Sequence, residues 1–224
     1  MKPSLNMRAS SRFHTIQNVF NRRISFFREC QAKLLAGNDR GASAWGAHVV
    51  IELDNLLIST FREFLVSSNF GVKGLSGRWT STAVPPFPSD AHLTARALSI
   101  VNSVKYRKIG SPLTIDRRDE HKFRNPREVR TVLASLGGSN LPELDTALAL
   151  NTTLFSDIAV LRNFYAHRNR DTWRKVSDYF TQQRAYPRFK RASDLLAYQR
   201  PSSSVSVLGE WLADAELFVD FALQ

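Results

Sequence analysis

Apolar residues recur along this chain mostly at three- and four-residue steps, and no long stretch alternates as a half-buried strand would, which predicts an all-α fold. Phe13, Ile16, Phe20, Ile24 and Phe27 mark a first helix from about Ser11 to Ala36, stopped by Gly37-Asn38. A second helix is expected from about Ala47 to Ser68. Its apolar positions Val50, Leu53, Leu57, Phe61 and Phe64 are dense enough for the centre of a helical bundle, and Asn69 and Gly71 end it.

Between Phe70 and Ser89, three glycines and three prolines erase the period, so an irregular connection is expected, placed to cover an active site. Pro88-Ser89-Asp90 then offers a capped start for a helix through about Lys105. Residues 106–127 read as a second polar loop in which Tyr106, Arg107, Lys108, Arg117, Arg118, His121, Lys122 and Arg124 form a basic cluster, suited either to gripping substrate or to an ordinary mobile surface loop. A short helix from Pro126 to about Leu136 ends at Gly137-Gly138, and the pattern restarts at Pro142. From there one helix, or two divided near Asn151-Thr152-Thr153, leads to Tyr165. A basic segment of weaker periodicity follows. Pro201 and three serines then precede a final amphipathic helix carrying Val207, Leu208, Trp211, Leu212, Ala215 and Phe218, with an acidic outer face.

Hydrophobic residues make up 43% of the 224 and charged residues 23%, the balance of a packed protein, and one domain over 1–224 with loops near 69–90 and 106–126 is expected. No run approaches the length of a membrane span, and Met1 to Asn6 lacks the apolar stretch of a secretory signal, so a cytoplasmic protein with no membrane contact is expected. The single cysteine, Cys30, can close no intrachain disulfide and suits packing. The chain has no glycine-rich phosphate loop, His-Glu-x-x-His helix or Cys-x-x-Cys pair, and no cofactor or metal is expected.

Charge sharpens the picture. The net charge of +11 favours a polyanionic partner, because lysines and arginines replace the counterions condensed on a phosphate backbone. Residues 1–40 carry +6, residues 101–130 carry +5 and residues 160–200 carry +7, while the remainder sums to −7. In the most basic block, Arg168, Arg170, Arg174 and Lys175 are interleaved with Trp173 and Tyr179, as suits RNA whose bases stack beside a phosphate track.

That block follows Leu161-Arg162-Asn163-Phe164-Tyr165-Ala166-His167-Arg168, where an arginine and a histidine stand five positions apart in an apolar, helix-compatible run. A histidine titrates near neutrality and can move a proton to or from a ribose oxygen, and an arginine can clamp a phosphate through two parallel hydrogen bonds. The spacing alone is weak, since Arg8 and His14 satisfy a looser form of it in a polar stretch. On an ideal helix the two side chains point about 140° apart, so a bent helix end, a long arginine reach or a twofold partner chain must bring them together. A structural role is the competing account: Arg162 paired with Asp157 or Glu143, and His167 favoured by the helix dipole. His48, Glu52, Asp54 and Asn55 form a polar patch on the second helix that belongs either to the groove or to ordinary structure.

In its context the motif resembles the signature of the HEPN superfamily, small all-helical domains of prokaryotic ribonucleases and toxins: an arginine, a polar residue, then a histidine after four to six residues, here Arg162, Asn163 and His167. The resemblance implies a HEPN-like helical bundle and a metal-independent endoribonuclease, a toxin or phage-defence effector, with Arg162, His167 and Asn163 catalytic. It also implies a homodimer whose motifs meet across the interface, and an antitoxin or regulatory partner. Tyr165, Arg168, Arg170, Arg174 and Lys175 are the expected RNA-binding residues. Some members carry a modifiable tyrosine two residues after the histidine, where this chain has Asn169. The alternatives are a non-catalytic module that binds RNA or nucleotide and regulates a partner, and a helical DNA-binding protein, for which no recognition segment stands out.

Overall fold

The computed structural model describes residues 12–109 and 122–224; Arg8, Ser11, Arg117, Arg118 and His121 lie outside them. The described chain is all-α: α1 (Arg12–Ala36), α2 (Asp39–Phe70), α3 (Asp90–Val101), α4 (Ser103–Ile109), α5 (Pro126–Ser135), α6 (Leu141–Ala149), α7 (Leu154–His167), α8 (Arg170–Gln183), α9 (Ala192–Ala197) and α10 (Val207–Ala222). Two isolated bridges, Lys73 with Trp79 and Gln199 with Ser206, are the only β pairing among the described residues. No single helix among them is long and apolar enough to cross a membrane. They divide into two compact units, to both of which α1, α2 and α10 contribute residues.

The first unit comprises the start of α1, Ile58–Asn151 and the last residues from Phe218. Its core is aromatic: Phe13 stacks on Phe64 at 5.6 Å between ring centroids, and Phe61 meets Phe218 edge-on at 5.8 Å. The expected irregular connection is present, and it is internally braced. Thr80 bonds Val72 through both backbone and hydroxyl, and Leu75 and Ser76 donate to the carbonyls of Leu223 and Gln224. Gly71 and Gly77 take positive φ there, a conformation that only glycine adopts freely. Asn102 divides the expected third helix in two, its side chain accepting from the Lys105 amide to start α4. Asn125 caps α5, with Pro126 in its first turn.

The second unit comprises Phe20–Leu57 and Thr152–Leu217. Phe20, Ile24 and Phe27 of α1, Leu53 of α2, Leu161 of α7 and Phe180 of α8 are all fully or almost fully buried in it. Helix α2 starts eight residues before its apolar pattern does, at Asp39, because Asn38 accepts a hydrogen bond from the Gly41 amide. The basic segment after the motif forms α8, which the weak periodicity did not predict. Thr172, Val176 and Phe180 give it a narrow buried stripe at four-residue spacing, and Asn169 with Thr172 closes a capping box at its start. Cys30 is buried, and burial raises the pKa of its thiol.

Phe20 fills the second core without any exposure, so Phe20→Ala is expected to cost about 3–5 kcal/mol of stability, read as a lowered midpoint in urea denaturation. A change within error would mean that the site collapses around the loss.

Candidate functional site

Helix α7 carries the motif. It is regular through its last residue, so Arg162 and His167 keep the angular separation of an ideal helix, about 140°. Within one chain the helix does not bend to unite them. What it aligns instead is Ala159, Asn163 and His167, four residues apart and all exposed, which form one stripe along its surface.

Arg162 faces α2. Its Nε lies 3.5 Å from Oδ2 of Asp54, whose side chain is only 5% exposed, while that of Arg162 remains 31% exposed. A buried carboxylate therefore forms an ion pair with a guanidinium whose side chain is still partly exposed. Neither Asp157 nor Glu143 takes this role: Asp157 pairs with Arg184, and Glu143 with Arg78. Asp54 appeared in the sequence only within a polar patch. The available signal was an acid set among the apolar positions Val50, Leu53 and Leu57 of a core helix.

Tyr165, expected at an RNA-binding surface, is buried instead, at 5% exposure. It shares the inward stripe of Leu154, Ile158 and Leu161, all buried. Its hydroxyl sits 3.0 Å from where a Cβ on Gly46 would stand, so the missing side chain of α2 makes room for it. Among the described residues no hydrogen-bond partner reaches that hydroxyl, and burial raises its pKa, with the charge of Arg168 opposing. Tyr165 packs rather than stacks on a base.

Beyond His167 the chain reverses within two residues. Arg168 takes a left-handed conformation, φ 45° and ψ 42°, with its amide bonded to the Phe164 carbonyl, and Asn169 begins the capping box of α8. Asn169 is thus a helix cap. Phe164 packs on Trp173 at 5.2 Å across the corner. Arg168 and Arg170 are exposed, and Arg174 is largely exposed with Asp178 one turn away at 3.8 Å.

An open concavity of about 450 Å³ lies along α7 and α8, lined by Ala159, Val160, Asn163, Thr172, Lys175 and Tyr179. Its end wall is fixed from below by Asp157, which is 1% exposed. Thr153 donates to Oδ2 of Asp157 at 2.7 Å, while Tyr179 and the Arg184 Nε both donate to Oδ1 at 2.8 Å. Arg184 also donates to the Tyr179 hydroxyl at 2.6 Å. Burial works to lower the pKa of Arg184, but the hydrogen bond and charge of Asp157 raise it overall; burial raises that of Tyr179. Among the described residues no three His, Cys, Asp or Glu side chains gather as metal ligands. Comparison with family models, curated proteins and solved structures finds no match to this chain.

Two substitutions check this geometry. Tyr165→Phe removes an unpaired buried hydroxyl and is expected to raise stability by about 1 kcal/mol; a loss would mean that the hydroxyl is bonded. Asp157→Ala strands Arg184 and Tyr179 and is expected to cost about 3–5 kcal/mol in the same denaturation assay.

Proposed function

We propose that this chain is a metal-independent endoribonuclease of HEPN type, acting as a homodimer on single-stranded or loop RNA. The observation that carries the reading is the division of labour around the end of α7. Arg162 is held by buried Asp54 with part of its side chain open to solvent, while Asn163 and His167 stand exposed on one stripe beside a cationic helix.

His167 takes the proton of a ribose 2′-hydroxyl, and the freed oxygen attacks the adjacent phosphorus. Arg162 stabilises the charge that builds on the phosphoryl oxygens. The bond to the 5′-oxygen breaks, that oxygen takes up the proton carried by the histidine, and the products are a 2′,3′-cyclic phosphate and a 5′-hydroxyl. The nucleophile is already part of the substrate, so this route gains from positioning and asks nothing of a metal ion. Since Arg162 and His167 diverge on one helix, the partner copy supplies the opposing member of each pair. Asn163 orients substrate or the opposing pair. A toxin or phage-defence role, restrained by an antitoxin or regulatory partner in the cytoplasm, follows from the same resemblance.

The divergence of Arg162 and His167 also favours a second reading, a module that binds RNA or nucleotide without cutting it and regulates a partner. Incubating wild type, Arg162→Lys and His167→Ala with total RNA and a tRNA pool in chelator separates the two. Arg162→Lys keeps a cation beside Asp54 but cannot make two parallel bonds to a phosphate. Wild type is expected to leave cyclic-phosphate ends, and each variant to lose at least about 10²-fold in rate. RNA binding without cleavage by any of the three would replace the enzyme by the binding module. Activity that returns only with magnesium would point to other chemistry.

A further inference from the structure

We propose that the concavity along α7 and α8 seats a single nucleotide of single-stranded RNA, adjoining the scissile phosphate. The proposal rests on the RNA reading of this face and adds to it the position at which the strand is gripped.

The walls have the chemistry of a nucleotide seat. Ala159 and Val160 give an apolar floor, and half-buried Tyr179 gives an aromatic wall, with the Arg184 guanidinium over its ring at 5.2 Å from the centroid; aromatic rings are surfaces on which bases of any identity stack. Asn163 offers an amide, one acceptor and two donors, to a base edge or a ribose hydroxyl. Lys175 is exposed and, among the described residues, has no ion-pair partner, so its ammonium is available to a phosphate. Of the carboxylates on the same helix, Asp178 is paired with Arg174, and Asp171, one turn before Lys175, forms no ion pair with it among the described residues.

The wall is also set in advance. Tyr179 is fixed by Asp157 and Arg184, and Asp157 is in turn held by Thr153, so the aromatic face need not be ordered when the strand arrives. A volume of about 450 Å³ admits one nucleotide and not a duplex, whose bases are paired and stacked away from such a wall. His167 lies on the same stripe as Asn163, about 6 Å further along the helix axis, next to the ribose of a nucleotide seated there.

The test uses a short single-stranded RNA with 2′-O-methyl riboses, which cannot cut itself by 2′-oxygen attack, and reads its affinity by fluorescence anisotropy across a salt series. Lys175→Gln is expected to weaken binding five- to tenfold and to lower the slope of log affinity against log salt by about 0.7, the loss of one phosphate contact. Ala159→Leu, which fills the floor from an exposed position without changing charge, is expected to weaken it at least fivefold. Arg127→Gln on α5, an equal charge change at an exposed residue outside the seat, is expected to stay within twofold. Wild-type affinity in both seat variants, an equal loss in Arg127→Gln, or equally tight binding of the duplex overturns the proposal.

Cleavage of the unmodified RNA in chelator is measured in parallel. Weakened binding in the seat variants with no cleavage by wild type would keep the seat and remove the enzyme. Cleavage with unchanged KM in both seat variants would keep the enzyme and remove the seat.

Discussion

The second unit is organised around one buried carboxylate. Asp157 sits at a site with almost no solvent, where a carboxylate is tolerated only when paired and hydrogen-bonded. Its three partners come from different parts of the chain: Thr153 from the turn before α7, Tyr179 from α8 and Arg184 from just beyond α8. Meeting that requirement draws the end of α8 back to the start of α7, and a hollow remains along the two helices. The floor is apolar because the outer residues of α7 there are Ala159 and Val160, and the wall is aromatic because Tyr179 is one of the ligands of the acid.

The motif depends on a second buried acid in a different way. Asp54 pairs with Nε of Arg162, while His167 stands at the last position of a helix that the left-handed Arg168 closes. One chain thus presents Arg162 on one face and His167 with Asn163 on another. A twofold arrangement would convert this divergence into two complete sets, which is the physical content of the dimer in the proposed mechanism.

How much of this the sequence disclosed depends on what kind of signal each element carries. Helix α1, the short α5, the break at Asn151 and the final helix were legible because apolar period and punctuation agree in them. Helix α8 was not, since only Val176 and Phe180 mark its buried face with large apolar groups; its legible sign was local, the Asn169-x-x-Thr172 capping pair. The early start of α2 was hidden because Asn38, read as the end of one helix, also caps the next. Val104 continues the apolar spacing of α3 across Asn102, yet it is 58% exposed, so period alone overstated that helix. In the candidate site, the motif positions could be picked out, but partners distant in sequence could not: nothing local pairs Arg162 with Asp54 or Asp157 with Arg184. Tyr165 was misjudged because its place beside the motif says nothing of which way it points, and its stripe with Ile158 and Leu161 turns it inward.

Gly46 then acquires a meaning beyond a small residue in a helix. Leu34, Tyr165 and Leu196 would all come within 3.3 Å of a side chain there, and the Tyr165 hydroxyl occupies the notch that its absence leaves. A key seated in a slot cannot turn. Tyr165 therefore fixes the rotational phase of α7, and with it which azimuth of the helix shows Arg162 to Asp54 and which shows Asn163 to the open hollow, so that a missing methyl group on another helix aims the motif.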